Sequence, residues 1–369
     1  GAERFVERAL AALGESGVAV SIYTRSWPTD ASARATPVIV DPPYVGSLWR
    51  DWGFHRGVCR ALAAVPAQLV QSHERVACCD IFRAGDGVHA VWLEERARAA
   101  GPLARLRQLA NPYHRYTLRA EARLFASPRL KAVICNSRMV RDEIAQRFAV
   151  AGERLHVVYS AVDRGRHNPD RARRDRETLR ARLGIGGGVT ALLLVGSGYE
   201  RKGVATALRA LARVDDAVLV VVGRESRIGR YEALARALGV AGRVRFAGPQ
   251  ADPVPYYGAA DAFVLPTLYD PLPNAALEAM ACGLPVVTST KSGAAELVEQ
   301  WECGFVCAAS DVAGLAARLA ALRDPGLRAT LGGRATAGIA ALDPERMLAQ
   351  LLSLYRTLLA AAEPAAASL

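Results

Sequence analysis

Asp270 and Glu278 stand eight positions apart in YDPLPNAALEAMACGLPVV, residues 269–287. Between them, Pro271 and Pro273 stiffen a loop, Asn274 is suited to cap a helix, and residues 275–281 are of types that propagate it. Glu278 then falls about one turn into that helix, facing the same crevice as the loop. Asp270 follows an apolar run, AFVLPT (262–267), which places it at the carboxyl end of a strand. Two acids so placed accept hydrogen bonds from hydroxyls on two parts of one ligand. The N–H groups at the helix start stay available for oxygens between them. In isolation the same two residues serve equally well as a capping Asp and a surface Glu paired with an Arg.

A second stretch supplies the opposite charge. In LLLVGSGYERKG (192–203) a strand ends at Gly196, a small-residue loop with Ser197 follows, and a helix opens near Val204. Backbone N–H groups at a helix start favour anions, and Arg201 and Lys202 add two full positive charges. That combination suits a diphosphate. A polar strand-to-helix turn with solvated basic residues would read the same way. With the two acids, the set fits a nucleotide sugar: ribose diol, diphosphate and sugar hydroxyls.

The elements around these residues are legible in the second half. TALLLVG (190–196), AVLVVVG (217–223), RVRFAG (243–248), AFVLPT (262–267), LPVVTS (284–289) and GFVC (304–307) alternate with helical segments. Short apolar strands separated by helices predict a parallel sheet covered on both faces, with ligands beyond the carboxyl ends of the strands. The first half repeats this pattern less clearly. RFVERALAALGESG (4–17) reads as an amphipathic helix, VAVSIYT (18–24) as a strand, HERVACCDIFRAGDGVH (73–89) as a strand with a Gly-rich exit, and LKAVICNS (130–137) as a strand before a helix starting near Ser137. A helix at position 4 with no strand before it suggests that a first strand is missing. The chain thus reads as two α/β domains, joined near YSAVDRGRHNPD (159–170), with a C-terminal amphipathic helix from 344.

The pieces VGSGYERKG, VVVGRES, VRFAGPQADPVPYYGAADAFVLPTLYDPLPNAALEAMACGLPVVTSTKSGAAELV and GFVC cover most of residues 190–307 in order. They resemble the Glu-x7-Glu element and its surroundings in the retaining GT-B glycosyltransferases of family 4. The resemblance implies an α/β GT-B fold, two Rossmann-like doubly wound domains facing a central cleft. Residues 1–163 would bind the acceptor, 164–343 the nucleotide-sugar donor, and 344–369 would pack back on the first domain. It implies that Glu278 holds the ribose hydroxyls and Asp270 the donor-sugar hydroxyls. Arg201 and Lys202 would bind the diphosphate, with Gly196 and Ser197 in the same loop. Pro273, Asn274 and Ala275 would line the sugar and phosphates, and the base would lie near Gly223, Arg224, Ala247 and Gly248. The first acid is Asp here, not the usual Glu, and one methylene less shifts its reach to the sugar.

In the first half, GAERFVERAL resembles the family's Gly-Gly-x-Glu-Arg opening, with Gly1 as its second glycine, a loop that approaches the donor phosphate. CDIFRAGDGVHAVWLEER (79–96) is similar to the family's active-site loop, so Asp86 would bind the sugar or orient the acceptor hydroxyl, with His89 just beyond. A GDG turn that Asp86 merely serves is the plainer reading. NPYHRYTLRAEARLFASPRLKAVICNS (111–137) resembles lipopolysaccharide core heptose alpha-1,3-glucosyltransferases, which implies UDP-glucose as donor, an inner-core heptose as acceptor and retention of the α configuration. The reaction so implied is a front-face attack, with the acceptor proton passing to a phosphate oxygen and Arg201 and Lys202 stabilising the leaving group. No DxD-like pair stands out, and no metal or other cofactor is expected.

Composition sets the outer limits. The formal charge of +11 is carried mostly by Arg and suits phosphorylated substrates, anionic lipid or nucleic acid, or reflects a GC-rich genome. From Arg96 to Arg119, Arg98, Arg105, Arg107 and Arg115 are interleaved with Trp92, Leu93, Leu103, Leu106, Leu109, Tyr113 and Tyr116 and no acid. This composition suits a segment resting on an anionic membrane, or a solvated face, and no nucleic-acid recognition motif accompanies it. No apolar run approaches the ~20 residues that span a bilayer. The seven cysteines lack CxxC spacing and read as reduced, buried thiols of a cytoplasmic protein, peripheral to the inner face of the membrane if the Arg-rich segment docks there. The rival readings are a nucleotide-sugar epimerase, a phosphorylase and a non-catalytic nucleotide-sugar-binding homologue. A phosphorylase would need a pyridoxal lysine, and none of Lys131, Lys202 and Lys291 has a fitting context.

Overall fold

The computed structural model describes residues 18–27, 35–101, 106, 108 and 110–361. Gly1 and the helix expected over 4–17 lie outside the described residues. The chain divides into two compact units, Gly1–Ser160 with Pro344–Leu369, and Ala161–Asp343.

The second unit is built on a six-stranded parallel sheet. Its strands are β7 (Thr190–Val195), β8 (Ala217–Val222), β9 (Val244–Gly248), β10 (Ala262–Leu265), β11 (Val286–Ser289) and β12 (Gly304–Cys307), in the order β12-β11-β10-β7-β8-β9. Every run expected from the sequence is a strand. β8 is buried along its whole length, and Leu192, Leu193, Leu194 and Phe263 are fully buried. β10 and β11 are likewise buried throughout, and each fully buried Leu contributes roughly 1.5–3 kcal/mol. The order reverses between β7 and β10, which sets a topological switch point there.

At the amino end of this sheet Asp261 ties the layers together. Its carboxylate accepts from Ala191 N–H at 2.7 Å, from Arg176 at 2.6 Å and from Arg180 at 3.1 Å. Burial alone would raise its pKa. The backbone N–H and the two guanidinium groups outweigh burial and hold it below the usual carboxylate value. The polar stretch 159–170 enters this unit at Ala161. Arg166 and His167 N–H donate to Asp163 carbonyl, and Asn168 caps the short helix Pro169–Arg173.

The first unit holds a four-stranded parallel sheet, β3 (Gln71–Ser72), β4 (Ile81–Ala84), β5 (Ala132–Cys135) and β6 (Leu155–Val157), in that order, and a separate parallel pair, β1 (Ser21–Thr24) with β2 (Thr36–Ile39). Helices Gly46–Ala64, His89–Ala100, Pro112–Phe125 and Arg138–Phe148 accompany them, the last capped by Ser137. β2, β3 and β6 have no counterpart in the sequence reading: β3 and β6 are only two and three residues long, and β2 is mostly exposed and carries a proline. The Pro344–Ala360 helix belongs to this unit. Its Tyr355 hydroxyl donates to Gln71 Oε1 at 2.7 Å, and its Met347 and Leu351 are buried.

One expectation is corrected here. The cysteines are not all reduced, because Cys59 and Cys78 form a disulfide with Cα atoms 5.9 Å apart. The Gly46–Ala64 helix buries Val58 and Leu62 against Val76, and this packing brings Cys59 beside Cys78 across 19 residues of sequence. Packing and not CxxC spacing makes the pair. The other five, Cys79, Cys135, Cys282, Cys303 and Cys307, are free and buried.

Candidate functional site

The switch point collects most of the residues singled out in the second half. β7 ends into the loop Gly196–Gly203. Gly196 N–H donates to Val222 carbonyl at 2.8 Å, Gly198 N–H to Arg224 carbonyl at 3.2 Å, and Arg224 N–H to Ser197 Oγ at 3.1 Å. The exits of β7 and β8 are therefore laced together. Gly223 N–H reaches on to Gly248 carbonyl at 2.9 Å, beside Ala247 in β9. A Cβ on Gly223 would sit 2.2 Å from Gly196 carbonyl oxygen, so the close approach requires glycine. Glu225 underpins the loop. It accepts from Arg227 N–H and Tyr199 N–H at 2.9 Å each, which holds its carboxyl below the usual range.

The β10 exit crosses onto this loop. Leu268 N–H and Thr267 Oγ1 both donate to Arg201 carbonyl, at 2.8 and 2.7 Å. Gly203 has φ +74°, and a Cβ there would lie 1.9 Å from Pro266 carbonyl oxygen. The two exits touch backbone to backbone at that point. Asp270 is clamped on its other side by the segment just past β11, its N–H donating to Lys291 carbonyl at 2.9 Å and its carbonyl accepting from Gly293 N–H at 2.8 Å.

Two side chains then meet across the switch point. Lys202 Nζ donates to Asp270 Oδ2 at 2.5 Å, with Lys202 8% and Asp270 5% exposed. Gly196 carries no side chain because Lys202 lies over it, Cε 2.6 Å from where its Cβ would be. Burying such a pair costs several kcal/mol of desolvation per ion, recovered only through good geometry. Arg201 is the more exposed of the two basic residues, with its carbonyl fixed by the β10 exit.

The helix Asn274–Ala281 starts immediately after this loop. Asn274 does not cap it, contrary to expectation. Pro273 is the N-cap, in extended conformation, and its carbonyl accepts from Ala276 N–H at 3.0 Å. Proline fixes the turn one residue early and leaves exposed Asn274 as the first helical residue. The N–H groups of Asn274 and Ala275 have no earlier carbonyl of the helix to reach, which makes this end a donor-rich platform. Glu278 sits one turn in. Its Oε2 accepts from Tyr257 hydroxyl at 2.9 Å, and its Oε1 lies 3.9 Å from His167 Nε2. Tyr257 and His167 are buried, 0% and 2% exposed. Neither figured among the site residues read from sequence, because one lies in a YY pair and the other in the polar stretch 159–170.

Asp86 lies in the first unit, exposed on the turn Gly85–Asp86–Gly87 at the carboxyl end of β4. Asn136, at the end of β5, donates Nδ2–H to Gly85 carbonyl at 3.2 Å. Arg83 lies beneath the turn, 5% exposed, its Nη1 2.7 Å from where a Gly85 Cβ would be. His89 turns its Nε2 to His114 Nδ1 at 3.1 Å. Burial pushes its pKa down to about 3, with the neighbouring charges of Arg75 and His114 adding to the effect.

Each half of the chain matches a family model. Residues 1–166 match the Glycosyltransferase Family 4 model and residues 175–337 the model of Glycosyl transferases group 1. The lipopolysaccharide glucosyltransferase WaaG of Escherichia coli is 27% identical over 313 residues, 84% of this chain and 82% of that protein. A crystal structure of WaaG superposes with TM-score 0.79 at 26% identity, covering 94% of this chain and 95% of that one. A D-inositol 3-phosphate glycosyltransferase of Actinosynnema mirum is 28% identical in a 393-residue alignment, covering 95% of this chain and 90% of that protein.

Proposed function

The chain belongs to the GT-B glycosyltransferases of group 1 and family 4, and from this we propose that it moves glucose from UDP-glucose to an inner-core heptose of lipopolysaccharide with retention of configuration. The observation that carries the reading is the buried Lys202–Asp270 pair at the switch point, one loop away from Glu278. A diphosphate brings more negative charge to Lys202 than one carboxylate does. Donor binding draws Lys202 from Asp270 to the phosphates, and Asp270 is then free to accept from the donor-sugar hydroxyls. Arg201 adds a second cation, and the N–H groups of Asn274 and Ala275 meet phosphate oxygens. Glu278, held by Tyr257, accepts the two ribose hydroxyls. Gly223, Arg224, Ala247 and Gly248 surround the base, and Gly196 and Ser197 lie in the diphosphate loop.

In the transfer itself the C1–O bond to the diphosphate breaks as the acceptor oxygen bonds to C1 from the same face. The acceptor proton passes to a phosphate oxygen. Lys202 and Arg201 stabilise the charge developing on the departing diphosphate, a role worth about 10²–10³ in rate per donor. Asp86, in the acceptor-binding unit, orients the acceptor hydroxyl. The acceptor is a glycolipid, and the Arg-rich segment from Arg96 to Arg119 rests on the anionic inner face of the cytoplasmic membrane. Support for this comes from Leu106, 66% exposed, and from the basic residues that flank it. Arg98 is neutralised locally by Glu95, and among the described residues no helix is long and apolar enough to cross a membrane.

Transfer assays test the reading. Radiolabelled UDP-glucose is offered with a heptose-terminated core acceptor and, separately, with D-inositol 3-phosphate, and the anomeric configuration of the product is read by NMR. An α-glucosyl heptose supports the proposal. Transfer to inositol phosphate alone would replace the acceptor, and a β product would overturn the mechanism.

A further inference from the structure

Glu121 is the anomaly in the helix Pro112–Phe125. The buried face of that helix comprises Thr117, Ala120, Glu121, Leu124 and Phe125, and Glu121 is only 1% exposed. An ionised carboxylate at a core position costs several kcal/mol unless its partners repay it. Its partners are specific. Oε1 accepts from His89 N–H at 3.0 Å and from Arg75 Nε at 3.1 Å. Arg75 in turn donates Nη2–H to Gly87 carbonyl at 3.4 Å.

These contacts converge on one place. His89 opens the helix His89–Ala100, whose N-cap, Val88, offers no side-chain acceptor. Glu121 therefore caps that helix from another element, and its charge complements the positive helix end. Through Arg75 it also holds the carbonyl of Gly87, one residue past Asp86. The other side of the turn is held by Asn136 on Gly85 carbonyl. The peptide that carries Asp86 is thus anchored at both flanks, and on the C-terminal side the Glu121–Arg75 pair holds it through two routes, beside the Gly87 N–H bond to Ala84 carbonyl at 3.3 Å.

We propose that Glu121 is a positioning residue for transfer: through Arg75 and the His89 N–H it fixes the Gly85–Gly87 turn and hence the Asp86 carboxylate. This rests on the assignment of Asp86 to the acceptor hydroxyl. A turn released by even 1 Å would cost about 10²-fold in rate by misplacing the group. Glu121→Gln keeps the oxygen that accepts both bonds and loses the charge, whereas Glu121→Ala loses both.

The test has two arms on the full-length chain. In the first, amide hydrogen exchange of residues 85–90 is compared in Glu121→Ala, Glu121→Gln and Leu124→Ala, the last a core deletion on the same helix that leaves Glu121 in place. Exchange there is expected to rise at least about tenfold in Glu121→Ala, to return towards wild type in Glu121→Gln, and to stay near wild type in Leu124→Ala. In the second, glucosyl transfer from UDP-glucose is measured for Glu121→Ala, Asp86→Ala and both together. Glu121→Ala is expected to lower kcat about 10–100-fold with the KM for UDP-glucose unchanged, and the double variant to be within about twofold of Asp86→Ala alone. Unchanged exchange at 85–90, or fully multiplicative losses in the double variant, would overturn the proposal. If Asp86→Ala turns over like wild type, the Asp86 assignment fails, while the exchange arm still decides whether Glu121 holds the turn. Should Glu121→Ala not fold, Arg75→Met, which removes the bond to Gly87 carbonyl, carries both arms, with Glu121→Gln as the near-wild-type reference.

Discussion

Removing the charge of Lys202 tests stability and chemistry at once. The ammonium and Asp270 are 8% and 5% exposed and 2.5 Å apart, so neither is solvated well enough to stand alone. In Lys202→Met the Asp270 carboxylate is left buried and uncompensated, and the expected loss is about 3–5 kcal/mol. Asp270→Asn keeps one hydrogen-bond acceptor for the ammonium, so its loss is expected to be smaller, about 1–3 kcal/mol. The double variant Lys202→Met/Asp270→Leu removes both desolvation costs and is expected to return to within about 1–2 kcal/mol of wild type. Activity should not return with it. Lys202→Met lowers kcat by about 10²–10³ through the lost stabilisation of the leaving diphosphate, and the double variant stays equally slow. UDP binding separates the two partners further. Asp270 competes with the diphosphate for Lys202, so Asp270→Asn should bind UDP at least as tightly as wild type while transferring sugar more slowly. Urea unfolding gives the stabilities, calorimetry the affinities and product release the rates. Lys202→Met with wild-type stability, or a double variant that recovers transfer, would refute the reasoning.

Other outcomes follow from neighbouring features. Burial, reinforced by the Arg83 charge, pushes His73 from the ordinary 6.5 down to about 4, so it stays neutral in the fold while the unfolded chain takes up a proton. That contribution is intact above about pH 6.5 and is lost as pH falls towards 4, up to roughly 3 kcal/mol, and His73→Phe should flatten thermal melts across this window. Gly203→Ala combines a left-handed backbone with a Cβ 1.9 Å from Pro266 carbonyl oxygen, and is expected to cost more than about 2 kcal/mol and to weaken UDP binding by parting the β7 and β10 exits. Reducing Cys59–Cys78 opens a link spanning 19 residues, worth about 3 kcal/mol by loop entropy. Mass spectrometry after alkylation in denaturant should find two fewer modified thiols without reductant than with it.

What the residues disclosed in advance depended on how local their signals were. The inner strands of the second sheet were legible because a strand buried along its length is apolar throughout, as AVLVVV shows. β3 and β6 are too short to display any period, and β2 is mostly exposed with a proline inside it, so it lacks the apolar run. Asp270, Glu278, Arg201 and Lys202 could be picked out by type and spacing, but the contact of Lys202 with Asp270 depends on β10 lying beside β7, and strand order is a long-range property. Tyr257 and His167 were missed for the same reason, since only packing brings them to Glu278. The disulfide was misread because its cysteines meet through helix packing. Asn274 was misplaced by one residue because Pro273, which carries no side-chain oxygen, still sets the helix start through its backbone. Glu121 shows the limit most plainly: its spacing marks a core position, and only the structure shows an acid there holding a loop.

The central claim is that a nucleoside diphosphate binds at the switch point with its ribose on Glu278. Calorimetric titration of UDP, GDP and ADP into wild type and Glu278→Ala measures this directly. The account expects UDP to bind selectively to wild type and the heat to vanish in the variant, with GDP and ADP weak in both. Undiminished UDP affinity in Glu278→Ala would contradict it.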